Sequence, residues 1–422
     1  MNILYIDHYA GSLSMGMEFR PYYFAREWAE QGHHVRILAA NYSHLRKKNP
    51  AVTKDLEIQT IDGVEFQWIK TVSYPKNGIK RLWSVAQFIG KLSRYAKKIV
   101  QDFHPDVIIA SSTYPFDTYP AQKMRKLARQ TNPKAVLVHE VHDMWPITPM
   151  QLYHLSANNP AIRLIQRGED SFCKNADYVV SVLSHAKDYL VQHGMAPEHF
   201  VYVPNGIQLS DWEDPLPLPE THQKVLERAR QEGRFVLSFF GSHTRSYGLD
   251  TLLEAAAQID PTRYLLAFVG EGNYKEELQQ KAKEMGFTSE NCAFLSRIDK
   301  RSIPTLLQAS DASYVAAIRN DMFRFGIGMN KLMDAMMGAK PILYAVEAPN
   351  NWILEYDCGI SVEAENATAL TEGFRQLLAL SEQQRRKMGE NGRQAMLKHF
   401  LYPHLAERFL QAVTADRKEE AE

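Results

Sequence analysis

The feature that most constrains this chain is an alternation of short apolar strands with helices that starts twice. Ile3-Leu4-Tyr5-Ile6 has strand length, and a glycine-containing loop from Gly11 to Gly16 follows it. Phe19, Tyr22, Tyr23, Arg26 and Trp28 then recur at helical spacing until Gly32, a residue suited to ending a helix. Val35–Ala40 is the next strand. Strand, glycine loop, helix and strand in that order form a βαβ unit, which implies a parallel sheet.

The same reading continues through Glu57–Thr60 and Val64–Ile69, joined by an Asp62-Gly63 hairpin turn. A basic helix is expected from Ile79 to Val100, and strands at Asp106–Ser111, Ala135–His139, Tyr178–Val182 and Phe200–Val203. Pro215, Pro217 and Pro219 cannot sit in a helix or a central strand, so that stretch reads as a stiff linker. Beyond it the pattern restarts with Phe235–Phe240, a polar loop from Gly241 to Gly248 and a helix at Leu249–Ile259. Strands at Tyr264–Val269, Cys292–Leu295, Ser313–Ala317, Pro341–Val346 and Ile360–Val362 complete a second parallel set, and the sequence after Glu382 is charged and helical. The expected architecture is α/β: two doubly wound domains, residues 1–210 and 211–395, with a helical segment 396–422 packing back on the first.

Composition removes several classes. At 422 residues the chain is too long for one ordinary core. Lys+Arg and Asp+Glu both number 49, so the basic excess of a dedicated nucleic-acid binder is missing. No apolar run approaches the ~18 residues of a membrane span. The N-terminus reaches Asp7 almost at once, which reads as a strand start and not a signal peptide. Cys173, Cys292 and Cys358 are odd in number and far apart, offering neither a disulfide framework nor a zinc pattern. The expectation is a cytoplasmic protein.

In doubly wound sheets ligands gather outside the carboxyl ends of the strands, so the loops there are the places to look for chemistry. The first, His8 to Glu18, lacks G-x-G-x-x-G but lets backbone N–H groups near Gly16 approach an anion. In Val138-His139-Glu140-Val141-His142-Asp143, strand alternation puts His139 and Val141 on one face, Glu140 and His142 on the other. His142 and Asp143 fall where the strand gives out, suited to moving a proton or holding a sugar hydroxyl. His139 and His142 also look like half a metal site, but no third ligand is spaced to complete it. Gly241 to Gly248 combines hydroxyls, small residues and Arg245 ahead of a helix, the make-up of an anion site. In Gly326 to Pro341, two glycines precede a helix carrying Asn330, Lys331 and Asp334. An amide and an ammonium near a helix start suit a diphosphate; a carboxylate one turn on suits a ribose diol.

At these residues the chain resembles the GT-B-fold glycosyltransferases of family 4, retaining enzymes that use nucleotide sugars. The resemblance rests on the glycine loop before Glu18-Phe19-Arg20-Pro21, the His142-Asp143 strand end and Val203-Pro204-Asn205-Gly206-Ile207. It continues through Phe240-Gly241 to Leu253, Val269-Gly270-Glu271-Gly272, and Asp334 to Pro341. Trp145-Pro146 and Asn330-Lys331-Leu332 are similar to a bacterial branch that builds surface polysaccharides with amino sugars. The resemblance implies two Rossmann-like domains facing each other across a cleft. The second domain would hold a nucleoside-diphosphate sugar, expected to be a UDP-sugar, and the first a glycan or polyprenyl-linked acceptor. It assigns Gly16 to the phosphate or sugar, Arg245, Asn330 and Lys331 to the diphosphate, and Asp334 to the ribose. Main-chain groups at Arg297 and Ile298 would receive the base, and His142, with Asp143, would meet the donor sugar or assist at the acceptor. No metal or other cofactor is expected, since the chain has no Asp-x-Asp pair and the family relies on cationic side chains and helix ends.

This sequence departs from the family pattern at four positions. Gly326 stands where a glutamate is common, Asp334 where a longer one is, Ser242 in place of an arginine and Tyr247 in place of a lysine. These departures keep two alternatives open: a nucleotide-sugar epimerase of the same fold and a non-catalytic nucleotide-sugar binding protein. The basic helix, with Lys80, Arg81, Lys91, Arg94, Lys97 and Lys98 among Leu82, Trp83, Phe88, Ile89 and Leu92, is a candidate contact with an anionic membrane surface.

Overall fold

The computed structural model describes residues 1–16, 19–75 and 78–415. The chain forms two compact units, one of residues 1–204 rejoined by the segment that starts at Tyr402, the other Asn205–Leu401.

The first unit is built on strands β1 (Asn2–Ile6), β2 (His34–Ala40), β3 (Glu57–Ile61), β4 (Val64–Ile69), β5 (Val107–Ala110), β6 (Val136–Val141), β7 (Tyr178–Ser181) and β8 (Phe200–Tyr202). Their order is β3-β4-β2-β1-β5-β6-β7-β8. Neighbours are parallel except β3 and β4, the hairpin whose turn residues Asp62 and Gly63 both have positive φ. The strands are near-continuous apolar runs because helices cover both faces. From β1 the chain steps to β2 on one side and later to β5 on the other. Such a reversal opens a crevice at the carboxyl ends of those two strands.

The helix Phe19–Glu30 covers one face and receives the C-terminal helix Tyr402–Val413. Trp28 Nε1 donates to the Ala406 carbonyl at 3.0 Å, and the Tyr23 and Tyr402 rings lie 4.7 Å apart. Each large side chain buried here contributes roughly 1.5–3 kcal/mol. The returning segment therefore begins at Tyr402, later than residue 396. Residues 416–422 at its end lie outside the described residues, as does Glu18.

The second unit holds β9 (Phe235–Phe240), β10 (Tyr264–Val269), β11 (Cys292–Leu295), β12 (Ala312–Ala316), β13 (Ile342–Ala345) and β14 (Gly359–Ser361). They run parallel in the order β11-β10-β9-β12-β13-β14, so the reversal falls between β9 and β12. The proline stretch is not a linker between the units, because it lies within this one. Leu216 N–H donates to the Arg301 carbonyl at 2.9 Å, and Ser302 and Thr305 hydroxyls bond the Pro217 and Leu216 carbonyls. The units separate instead after Pro204, and Ile207 N–H donates to Phe400 as the chain prepares to leave.

The helix Ile79–Phe103 buries Ser84, Phe88, Leu92, Ala96, Ile99, Val100 and Phe103, a stripe at helical spacing. It stops at His104, which is left-handed and returns its N–H to the Val100 carbonyl.

Candidate functional site

At the carboxyl ends of β1, β5 and β6, the first unit collects a buried polar network. Glu140, the last but one residue of β6, is fully buried and anionic. Burial opposes its charge, but Arg20, His142 and Ser111 hold its carboxyl well below the usual range. Arg20 Nε donates to it at 3.0 Å while its other nitrogens reach the Pro204 and Val203 carbonyls at 2.6 and 2.9 Å. Tyr5 Oη and Ser111 Oγ donate to the other carboxylate oxygen. A buried charge persists only with such multiple partners.

His142 projects just past the strand. Its Nε2 lies 2.8 Å from Ser111 Oγ and 3.5 Å from Glu140 Oε2. Burial disfavours the imidazolium, yet the bond and charge of Glu140 outweigh it and raise the pKa. Nε2 is thus committed to Ser111 and Glu140. Asp143 is exposed and accepts from Thr148 Oγ1 at 3.4 Å. Asp117 is fully buried, accepts from the Ser112 N–H at 2.8 Å and leaves Oδ1 without a partner among the described residues. Burial pushes its carboxyl up to about 7. His139 is structural: it stacks on Phe172 with centroids 3.7 Å apart, and burial lowers its pKa to about 3. Gly16, with φ 78°, closes a turn by donating its N–H to the Ser12 carbonyl at 2.9 Å.

In the second unit, loops after β9 and β10 are packed backbone against backbone. A Cβ on Gly270 would fall 1.8 Å from the Gly241 carbonyl oxygen, and one on Gly272 would fall 2.0 Å from that of His243. Only glycine fits at either place. Gly241 itself has φ 124°, and a Cβ there would meet the Lys331 side chain at 3.0–3.2 Å. Lys331, from the helix Asn330–Met337 that follows β12, thus lies against the first loop of the other side of the sheet's reversal. Its Nζ sits 3.5 Å from the Tyr247 ring centroid and 3.8 Å from that of Phe239, shielded from solvent and without a hydrogen-bond partner among the described residues. Burial lowers its pKa to about 7.

Arg245 behaves differently. It is two-thirds exposed, lies over the Tyr274 ring at 4.4 Å and is ion-paired with Glu277. Of the two, the cation that lies against Gly241 is Lys331, from a segment 90 residues further along the chain. Asp334, on the same helix, is buried; burial and the neighbouring Asp211 push its carboxyl up to about 6 against the pull of Lys300. Asn330 is exposed at the helix start. The segment before it is fastened by Asn350, which bonds both the N–H and the carbonyl of Ile327, and by Asn205, which donates to the Gly328 carbonyl at 2.7 Å. Arg297 is exposed after β11, and Ile298 packs partly against the core. Among the expected residues, then, the fold gathers His142 with Glu140, and Lys331 with the Gly241 loop. Arg245 and Asp334 have partners of their own. The Glu140–His142 pairing was visible in the strand alternation; Arg20, Tyr5, Ser111 and Asp117 carried no local signal.

The sequence profile of Glycosyltransferase Family 4 matches residues 15–211, and that of Glycosyl transferases group 1 matches residues 223–395. A relative in Escherichia coli (strain K12), WcaI, bears the name of a colanic acid biosynthesis glycosyl transferase; it is 24% identical over 375 residues, spanning 84% of this chain and 86% of its own. Two solved structures share the fold. Sucrose-phosphate synthase of Thermosynechococcus elongatus has a TM-score of 0.70 at 16% identity and covers both chains completely. HepE of Anabaena, solved with UDP and glucose, has a TM-score of 0.65 at 16% identity, covering 98% of this chain and all of its own.

Proposed function

This chain belongs to glycosyltransferase family 4 and has the GT-B fold, and from that premise we propose that it transfers a sugar from a UDP-sugar to a glycan or polyprenyl-linked acceptor in surface-polysaccharide synthesis, with retention at the anomeric carbon. The observation that carries the donor reading is Lys331 Nζ, shielded and without a hydrogen-bond partner among the described residues, against the Gly241 backbone at the sheet's reversal point. HepE, of the same fold, was solved with UDP, and WcaI is named for colanic acid biosynthesis.

In the reaction, the bond from the anomeric carbon to the diphosphate oxygen breaks and an acceptor hydroxyl takes its place on the same face. Charge grows on the leaving diphosphate, so cations and backbone N–H groups aimed there lower the barrier. Lys331 supplies that charge, with Arg245 free to swing from Glu277 and Asn330 at the helix start. Asp334 accepts from the ribose, and the main chain at Arg297 and Ile298 takes the base. His142 offers Nδ1 to the sugar, held in place by Glu140, while Asp143 and the Gly16 turn take sugar or phosphate oxygens. The proton from the acceptor passes to the departing diphosphate. No divalent metal enters this scheme.

Incubation with a panel of nucleotide sugars, with and without polyprenyl-diphosphate sugars and in the presence of EDTA, tests it. Acceptor-dependent release of UDP is the expected result. Isomerised donor without acceptor would establish the epimerase instead, and binding without turnover would establish a binding protein.

A surface role for the helix Ile79–Phe103 is supported by Ile79, Leu82 and Trp83, which are 85%, 69% and 58% exposed beside Lys80. Lys91 and Arg81 are not available for it, being bound to Asp55 and Tyr9. Co-sedimentation with anionic vesicles that fades with salt is expected; equal binding to neutral vesicles would remove the idea. Among the described residues no helix is long and apolar enough to cross a membrane.

A further inference from the structure

We propose that Lys331 is an uncharged amine while the nucleotide site is empty and takes up a proton as a nucleoside diphosphate binds, so that donor binding is coupled to protonation of this one nitrogen. The inference rests on the donor reading above and goes beyond it, to the charge state of the site.

The geometry leaves an ammonium poorly supported. Nζ faces the rings of Phe239 and Tyr247 and the Gly241 backbone, with no acceptor in hydrogen-bond reach among the described residues. Ring faces attract a cation, but an ammonium has three N–H groups to satisfy, and two rings replace lost water poorly. Desolvation wins, in line with the pKa lowered to about 7 by burial alone. A cage that merely tolerates the amine becomes favourable for the ammonium when a diphosphate brings both acceptor oxygens and negative charge.

Among the described residues no acceptor reaches Nζ beforehand; Glu271, which acts on the same His243, is paired with Lys275 at 2.9 Å. On the loop after β9, His243 is buried and kept neutral, its pKa down to about 4. Tyr247 and, on β12, Tyr314 are phenols raised by burial. Arg245 is turned to Glu277. On the same helix, Asp334 answers to Asp211 and Lys300. The helix Ile303–Ala309 carries no titratable group, and the helix Glu382–His399 meets the far end, with Gly389 and Gly392 against Ala339 and Met336. Tyr247, just before Gly248, places its ring centroid 3.5 Å from Nζ. Its ring walls the cage, so the cation of this site is carried by a different segment and is switched on by its own ligand.

The test is calorimetric titration of the full-length protein with UDP at pH 8 in buffers of different ionisation enthalpy. UDP is fully ionised there, so it contributes no proton. Wild type is expected to take up close to one proton per UDP bound, and Lys331→Arg, a side chain charged at every working pH, close to none. Lys331→Met is expected to bind at least tenfold more weakly, also without uptake. UDP binding to wild type without proton uptake overturns the inference and leaves the donor reading standing. Uptake that persists in either variant assigns the proton elsewhere and also overturns it. No UDP binding by wild type overturns the donor reading, and this inference with it.

Discussion

Glu140 holds His142 from two residues behind on the same face of β6, through Ser111 Oγ and a direct 3.5 Å approach of Oε2 to Nε2. Arg20 closes the arrangement from the other side, so an anion buried at a strand end has a cation on one oxygen and a histidine on the other. The strand sets the register, Arg20 sets the charge, and the His142 ring is held through Nε2.

Replacing Glu140 by Gln should therefore be costly for the fold. It leaves the Arg20 guanidinium buried beside a neutral amide, and breaking such a pair costs about 3–5 kcal/mol. The contribution of Glu140 is present above its unfolded pKa of 4.5 and is lost as the pH falls below that toward the lowered native value. Chemical denaturation at pH 7 should show the loss. A variant as stable as wild type would mean that the pair contributes nothing.

Asp117 should act in the opposite sense. Its native pKa of about 7 lies above the ordinary 3.8, so the folded state binds the extra proton between those values. Stability from this group is intact below pH 3.8 and falls as the pH rises to about 7. The penalty at pH 8 is at most about 4 kcal/mol. Asp117→Asn removes it, so the variant should melt higher than wild type at pH 8 and lose the gain near pH 4. Parallel melting curves at both pH values would contradict this.

Gly270→Ala should separate the loops after β9 and β10. The added methyl would lie 1.8 Å from the Gly241 carbonyl oxygen, and φ of 154° already disfavours a side chain. Backbone must move, at a cost of at least about 1–3 kcal/mol. Lower melting temperature together with weaker UDP binding is expected; wild-type values for both would show that the loops do not need this contact.

Arg245→Ala and Lys331→Met should each weaken UDP binding, by about 1.5–3 kcal/mol for a charge-assisted contact. Arg245 is exposed and paired with Glu277, so its loss should sit at the lower end with little change in melting temperature. Lys331 should sit at the upper end. Unchanged affinity in both variants would refute the diphosphate assignment.

The two α/β units were readable from periodicity because most strands are short apolar runs and the first strand of each unit is followed by a glycine-containing loop and a helix. The place of the proline stretch was not, because alternating prolines specify a stiff chain without saying what it packs on; here they pack on Arg301 to Thr305. Lys331 was recognisable as a cation at a helix start. Its cage was not, because Phe239 and Tyr247 come from another stretch of chain and only the β9–β12 adjacency brings them to it. Glu140 and His142 could be paired from strand alternation alone, whereas Arg20 reaches them across 120 residues.

The most direct test of the donor site is a crystal structure of the protein with UDP. The diphosphate should lie within hydrogen-bond distance of Lys331 Nζ and the backbone N–H groups of the Gly241 loop, with the ribose against Asp334. A diphosphate bound away from Lys331 and that loop would contradict the account.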